Sequence, residues 1–299
     1  MRGFRSVPIW LSAGLALQGA GAQTTAPPYA EMLAKSPATD WARLDPEHTL
    51  YMDLPGGRVI ILLAPKYAPL HVANLRKLIR AQYFDGAAIV RVQDNYVVQW
   101  AWPEGTGPDL PEAKGPLAPE FDRPVANDLP FTPLSDPDTY APEVGFSEGF
   151  PVARDRRLGR TWLTHCYGMV GAGREDSPES GPGSELYAVI GHAPRQLDRN
   201  VALLGRVVQG IELLSSLPRG TGNLGFYTEP AQRTPIRSIR LAADVPPGER
   251  VSLEMLKTES ATFQAVVASR RTRRESWFVE PTAKINVCNV PLPVREGRQ

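Results

Sequence analysis

Apolar and polar positions alternate most clearly between Leu50 and Trp102. Leu50–Asp53 and Arg58–Leu63 are short aliphatic runs parted by Pro55-Gly56-Gly57, so two strands joined by a turn are expected. Pro69 then opens a stretch in which Val72, Leu75, Leu78 and Ile79 recur at helical spacing. A proline costs little at the first helical position, and these four residues make one buried face. Asp85-Gly86 marks a tight turn, because glycine supplies the positive φ such turns need. Ala87–Val92 and Tyr96–Trp100 follow as two more strands, separated by the loop Gln93-Asp94-Asn95. The strand pattern returns at Trp162–Val170 and ends at a last strand carrying Ile239 and Leu241.

Two regions break this rhythm. Pro103–Arg160 is rich in Pro, Gly, Asp and Glu and lacks sustained apolar runs. A structureless loop of that length is unusual inside a compact domain, so the region reads as an insertion on the surface of a folded unit. It contains Gly145-Phe146-Ser147-Glu148-Gly149, which fits the G-x-S-x-G pattern of a hydrolase nucleophile. That elbow requires a strand before the serine and a helix after it, whereas Pro142 precedes and Phe150-Pro151 follows, so a serine nucleophile is disfavoured. The second region is 244–299, an extension. Within it Thr258–Arg274 can be helical, with Phe263, Val266 and Val267 on one face and arginines at its end, where the dipole favours cations. Val287–Val290 reads as a short added strand.

Charge and composition narrow the choices. There are 33 Lys and Arg against 32 Asp and Glu, which gives no electrostatic case for nucleic acid. Met1–Ala22 has a basic start, a short apolar core at Ile9–Leu17 and a small-residue Ala20-Gly21-Ala22 site, the pattern of a cleavable signal peptide. The apolar core is too short to span a bilayer, so an exported protein without stable membrane insertion is expected, periplasmic or secreted. Residues 23–45 read as a flexible lead-in. Cys166 and Cys288 match no metal or redox spacing; in an oxidising compartment they can pair, and two buried thiols is the alternative.

One residue fits none of this. Arg91 is the lone full charge in Ala87–Val92. An unpaired buried charge is costly, and the simple remedy is to turn it outward into water. The surrounding residues suggest another role. Phe84, Asp85, Gly86, Ile89, Val90, Arg91, Val92, Tyr96 and Gln99 stand in the order and spacing of the (Y/F)-Y-D-G-x-x-F-H-R-V-x-x-x-F-x-x-Q-G-G run of cyclophilin-type peptidyl-prolyl cis-trans isomerases. Ala68-Pro69-Leu70-His71-Val72-Ala73-Asn74-Leu75 is similar to the family's A-P-x-x-V-x-N-F, and Pro119-Glu120-Phe121 to its short (D/P)-E-F signature. Gly183-Ser184-Glu185-Leu186-Tyr187 resembles its G-S-Q-F-F, and Leu197–Val207 its L-D-(G/R)-x-x-x-x-F-G-(R/K)-V. The resemblance runs from about Leu50 to Ala243 with its motifs in order.

The resemblance implies a mainly β fold: a closed antiparallel eight-stranded barrel capped by two helices, spanning 46–243, with the insertion at about 103–160 and the extension outside it. It implies rotation of X-Pro bonds in peptides and unfolded proteins, with no cofactor and no metal. Arg91 and Gln99 take the catalytic positions. Tyr96, Val97, Gly173, Glu185, Tyr187, Gln196 and Leu197 take substrate-binding positions. The departures fall on the binding surface: Ile89-Val90 for Phe-His, Trp100-Ala101 for Gly-Gly, Glu185 for a glutamine, Gln196 where part of the family has tryptophan, and Val201 where many members have histidine. They leave a second reading, a non-catalytic cyclophilin-like chaperone or binding module.

Overall fold

A computed structural model of the protein describes residues 29–104 and 106–297. The signal-peptide expectation, residues 1–22, lies outside them. The central element is a curled antiparallel sheet of nine strands. From one edge to the other they are Thr234–Pro235, Ala88–Val92, Val97–Ala101, Leu186–Val189, Met169–Ala172, Leu203–Gln209, Gly57–Leu63, Thr49–Leu54 and Ser238–Leu241. The expectation of a closed eight-stranded barrel is therefore corrected. The closing strand is split in two, one piece on each edge, and the two pieces do not pair with each other. Between them only Ile236 and Arg237 cross the gap, their N–H groups donating to Ala87 O on one side and Asp53 O on the other.

The inner face of the sheet holds the main core, with Leu50, Ile61, Ile89, Val98, Trp100, Leu186 and Leu204 among its buried residues. The helix Pro69–Arg80 closes one end, burying Val72, Leu75, Leu78 and Ile79 as its spacing requires. Its first N–H groups have no intrahelical partner, and Glu120 supplies one: its carboxylate accepts from the N–H groups of Leu70 at 2.9 Å and His71 at 2.8 Å. The insertion residue thus stabilises the helix start, where a negative charge also suits the dipole. The expected second cap is a single turn, Glu212–Ser215, and only Leu214 of it is buried.

The insertion is not a loose loop. Arg123–Pro124, Thr132–Leu134, Glu143–Ser147, Phe150–Asp155 and Arg160–Leu163 form a second antiparallel sheet of five strands. Gly145–Gly149 lies in a hairpin of this sheet, with Glu148 and Gly149 at positive φ in the turn. A strand does precede Ser147, but another strand follows it, and the side chain is buried. The nucleophile elbow is absent. The expected strand Trp162–Val170 is two strands of different sheets, because the chain leaves the second sheet after Leu163 and joins the curled sheet at Met169.

A second core lies between the two sheets and takes in Trp41, Leu62, Phe146, Val152, Trp162, Met169, Phe263 and Val266. The helix Ala261–Thr272 contributes the last two, while Val267 is only partly buried. The described part of the lead-in carries structure of its own, a helix at Tyr29–Ala34 and a strand at Trp41–Arg43. That strand pairs with Leu253–Leu256, which in turn pairs with Val294–Glu296, a three-stranded sheet joining the lead-in to the extension. Val287–Asn289 is a 3-10 turn, not the strand expected. Beside it Cys288 is joined to Cys166 by a disulfide, with Cα atoms 5.0 Å apart.

Candidate active site

The site is built by register across four neighbouring strands. Arg91 stands opposite Gln99, Gln99 opposite Tyr187, and Tyr187 opposite Gly171. Residues directly opposite share a face, so these four form one row on the outer face of the curled sheet. Strict alternation would have put Arg91 on the same face as Ile89, which is in the inner core. A register shift between Ile89 and Arg91 removes the conflict. Val90 is the extra residue, and Arg91 turns outward while Val92 returns to the core.

Gly171 is required by its neighbour. A Cβ there would lie 2.4 Å from the Tyr187 hydroxyl oxygen, so the glycine leaves the space the ring occupies. The Tyr187 hydroxyl lies 2.9 Å from His165 Nε2, and His165 Nδ1 lies 3.0 Å from Asp198 Oδ1. Asp198 accepts from Arg195 Nε at 2.6 Å, and the Arg195 terminal nitrogens donate to both oxygens of Asp138. A buried chain of polar groups thus ties the floor of the site to the insertion. Burial lowers the pKa of His165, which works against its charged form, although Asp198 acts the other way. Burial likewise raises the pKa of Tyr187 far above the ordinary phenol value, so it stays neutral.

A hollow of about 330 Å³ opens over the row. Val97, Tyr187, Leu197 and Val201 give it apolar wall; Arg91, Gln99, Gly173 and Glu185 give it a polar side, which Arg174, Glu175 and Asp176 extend. Tyr96 also lines it. Of the residues nominated from sequence, Gln196 alone is not part of the lining. The half-buried Arg91 guanidinium is held on three sides. Nε donates to Leu224 O at 2.7 Å, Nη1 to Gln99 Oε1 at 3.0 Å, and Nη2 to the Gln93 side-chain carbonyl. Tyr96 and Phe226 present their rings to it at 5.6 and 5.4 Å. Each terminal nitrogen carries two N–H groups, so one on each has no partner among the described residues. No carboxylate there forms an ion pair with Arg91. Burial lowers its pKa; Tyr96 and Glu185 oppose that shift.

Gln99 connects the arginine to Glu185, donating through Nε2 to the carboxylate while its own carbonyl faces Arg91. Burial raises the Glu185 pKa, with Arg91 pulling it down. Sequence reading missed Leu224, Phe226 and the His165–Asp198 pair. The first two reach Arg91 from 133 and 135 residues away, and only backbone contacts such as Tyr227 N to Val90 O bring their loop in. The one available sign for His165 was a hydroxyl at Tyr187 that would need a buried partner.

The family description "Cyclophilin type peptidyl-prolyl cis-trans isomerase/CLD" matches residues 49–241, which include the whole row and the hollow. The chain belongs to the cyclophilin family. Among solved structures, this cyclophilin is similar to cyclophilin AquaCyp293 from Hirschia baltica, with a TM-score of 0.70, 23% identity, and 87% of this chain and 95% of the other covered. That likeness is one of fold. Among curated proteins it is similar to the "Probable peptidyl-prolyl cis-trans isomerase" of Brucella suis and of Brucella melitensis, each 40% identical over 55 residues. Those alignments cover 18% of this cyclophilin and 28% of each relative, so they span little more than a quarter of the relatives' length.

Proposed function

We propose that this cyclophilin accelerates rotation about X-Pro bonds in peptides and unfolded proteins. The observation that carries the reading is Arg91: a half-buried guanidinium with unused N–H groups, beside an apolar wall sized for a small ring and free of an ion pair among the described residues. Amide resonance sets a barrier of about 18–20 kcal/mol, and rotation needs no bond to break. As the bond twists, the prolyl nitrogen pyramidalises and its lone pair becomes an acceptor. A donor that meets it only then lowers the barrier, as differential binding requires. Val97, Tyr187, Leu197 and Val201 would receive the proline ring; Gln99 would steady both the substrate backbone and the arginine. Every step uses side chains of this chain, and none calls for a metal or cofactor.

Export belongs to the same proposal. The basic start, short apolar core and Ala20-Gly21-Ala22 site support cleavage after Ala22 and folding work in the periplasm or outside the cell. N-terminal sequencing of the exported protein is expected to begin at Gln23; a cytoplasmic product retaining Met1 would end this part. For activity, cis–trans exchange of an Ala-Pro peptide is measured by NMR. Wild type is expected to accelerate exchange, and Arg91→Ala to lose about 10²–10³ of that rate while remaining folded. Gln99→Ala is expected to lose less. The second reading, a non-catalytic binding module, draws on the changed groove, above all the half-buried carboxylate of Glu185. A folded wild type that binds the peptide without accelerating exchange would select it.

A further inference from the structure

Arg206 lies outside the site described above, and its side chain has no partner among the described residues. It sits on Leu203–Gln209, opposite Met169 on one side and Leu62 on the other. Both neighbours belong to the core between the two sheets. Register therefore points a guanidinium into apolar packing. The residue is 8% exposed, forms no side-chain hydrogen bond or ion pair among the described residues, and has its Nε fully buried and unsatisfied. Residues 1–28, 105 and 298–299, which lie outside the described set, contain no Asp or Glu side chain to serve it. A buried, unpaired charge of this kind is expensive to keep.

Arg206 lines a cavity of about 130 Å³. Its other walls are Pro151, Met169, Val207, Val287, Val290, Leu292 and the Cys166–Cys288 bridge, whose side chains are apolar while polar atoms also face the cavity. Tyr167, another lining residue, is nearly half exposed, so the cavity lies near the surface. From one side Nη2 approaches the Glu148-Gly149 turn, 4.0 Å from where a Cβ on Gly149 would stand. A carboxylate can engage a guanidinium through two parallel hydrogen bonds, and a short hydrocarbon tail can use the apolar lining.

We propose that Arg206 anchors a binding site for a short organic carboxylate at the junction of the two sheets and the C-terminal extension. The carboxylate neutralises the buried arginine, and its tail packs against the residues around the disulfide. Because those residues come from the curled sheet, the insertion sheet and the extension, binding clamps all three together. The site is separate from the Arg91 hollow and does not depend on what that hollow does.

The test is titration of the full exported chain, disulfide intact, with sodium butyrate, sodium acetate and sodium chloride at constant ionic strength. Calorimetry and thermal unfolding are the readouts. Butyrate is expected to bind saturably and raise the unfolding midpoint, acetate to bind more weakly, and chloride to give no saturable response. Arg206→Met, which fills the space without charge, is expected to weaken butyrate at least tenfold. Arg206→Lys, which keeps the charge but loses the fork, is expected to fall between. Equal butyrate responses in wild type and Arg206→Met overturn the site, and equal responses to chloride and butyrate overturn the carboxylate. Should Arg206→Met not fold, carboxyl-labelled butyrate followed by NMR on wild type decides alone: a shift that fails to saturate ends the proposal.

Discussion

At the scale of single residues, the site pairs one fixed cation with one adjustable anion. Glu185 stands close enough to Arg91 for the two to shift each other's pKa, and Gln99 bridges them. A negative charge beside the donor weakens the field it presents to the prolyl nitrogen, and in a partly dry hollow that weakening is larger than in water. Glu185→Gln is therefore expected to raise the isomerisation rate at neutral pH by several-fold and to flatten its pH profile. Wild type is expected to gain activity as pH falls through the raised Glu185 value. The same shift has a sign for stability. The folded state holds the Glu185 proton more tightly than the unfolded chain, so its contribution is complete below the ordinary carboxylate range. That contribution is lost as pH rises through the raised value. Peptide exchange of wild type and Glu185→Gln across that range checks the rate, and urea unfolding checks the stability; an unchanged variant would show that the charge is solvated away.

Among elements, the decisive device is the bulge at Val90. Arg91 and Gln99 were legible as a spacing, but the outward turn of Arg91 was not, because period-two alternation places it with Ile89. Only the paired strand reveals the extra residue. The insertion sheet was equally hidden. Arg123–Pro124 and Thr132–Leu134 are too short and too proline-rich to show an alternation of their own, and their hydrogen bonds are made to strands further along the chain. The helix Pro69–Arg80 was readable to its first residue, since its proline start and its apolar face are local features. The Tyr187–His165–Asp198 chain lies between these cases: each member is visible, but neighbouring elements make the contacts. Tyr187→Phe keeps the ring and strands His165 Nε2. It is expected to cost about 1–3 kcal/mol of stability in denaturant titrations, with the hollow retained. His165 adds an acid limit. Its pKa is lowered on folding, so its contribution is present above the ordinary histidine value and is lost as pH falls toward the depressed one. His165→Gln is expected to flatten that acid limb; a limb that persists unchanged would assign it elsewhere.

For the whole molecule, the additions to the family fold serve as buttresses. The extension is tied to the chain between the two sheets by the Cys166–Cys288 bridge, which closes a loop of 122 residues. Such a loop restricts the unfolded chain strongly, and the double substitution to serine is expected to cost about 2–4 kcal/mol. Reductant added to wild type during guanidinium unfolding should reproduce that loss. An identical midpoint with and without reductant would mean the bridge contributes nothing.

The segment Thr234–Leu241 supplies the outer strand at both edges of the curled sheet, and this has a bearing on when the protein can fold. Ser238–Leu241 lies beside Thr49–Leu54, the earliest strand of the curled sheet, and Thr234–Pro235 lies beside Ala88–Val92. A ribosome has made roughly four-fifths of the chain before either edge can be covered. Contacts so distant in sequence form slowly, since the intervening loop must be ordered first. Both edges therefore stay uncovered until late in synthesis, and the curled sheet is completed only after that point.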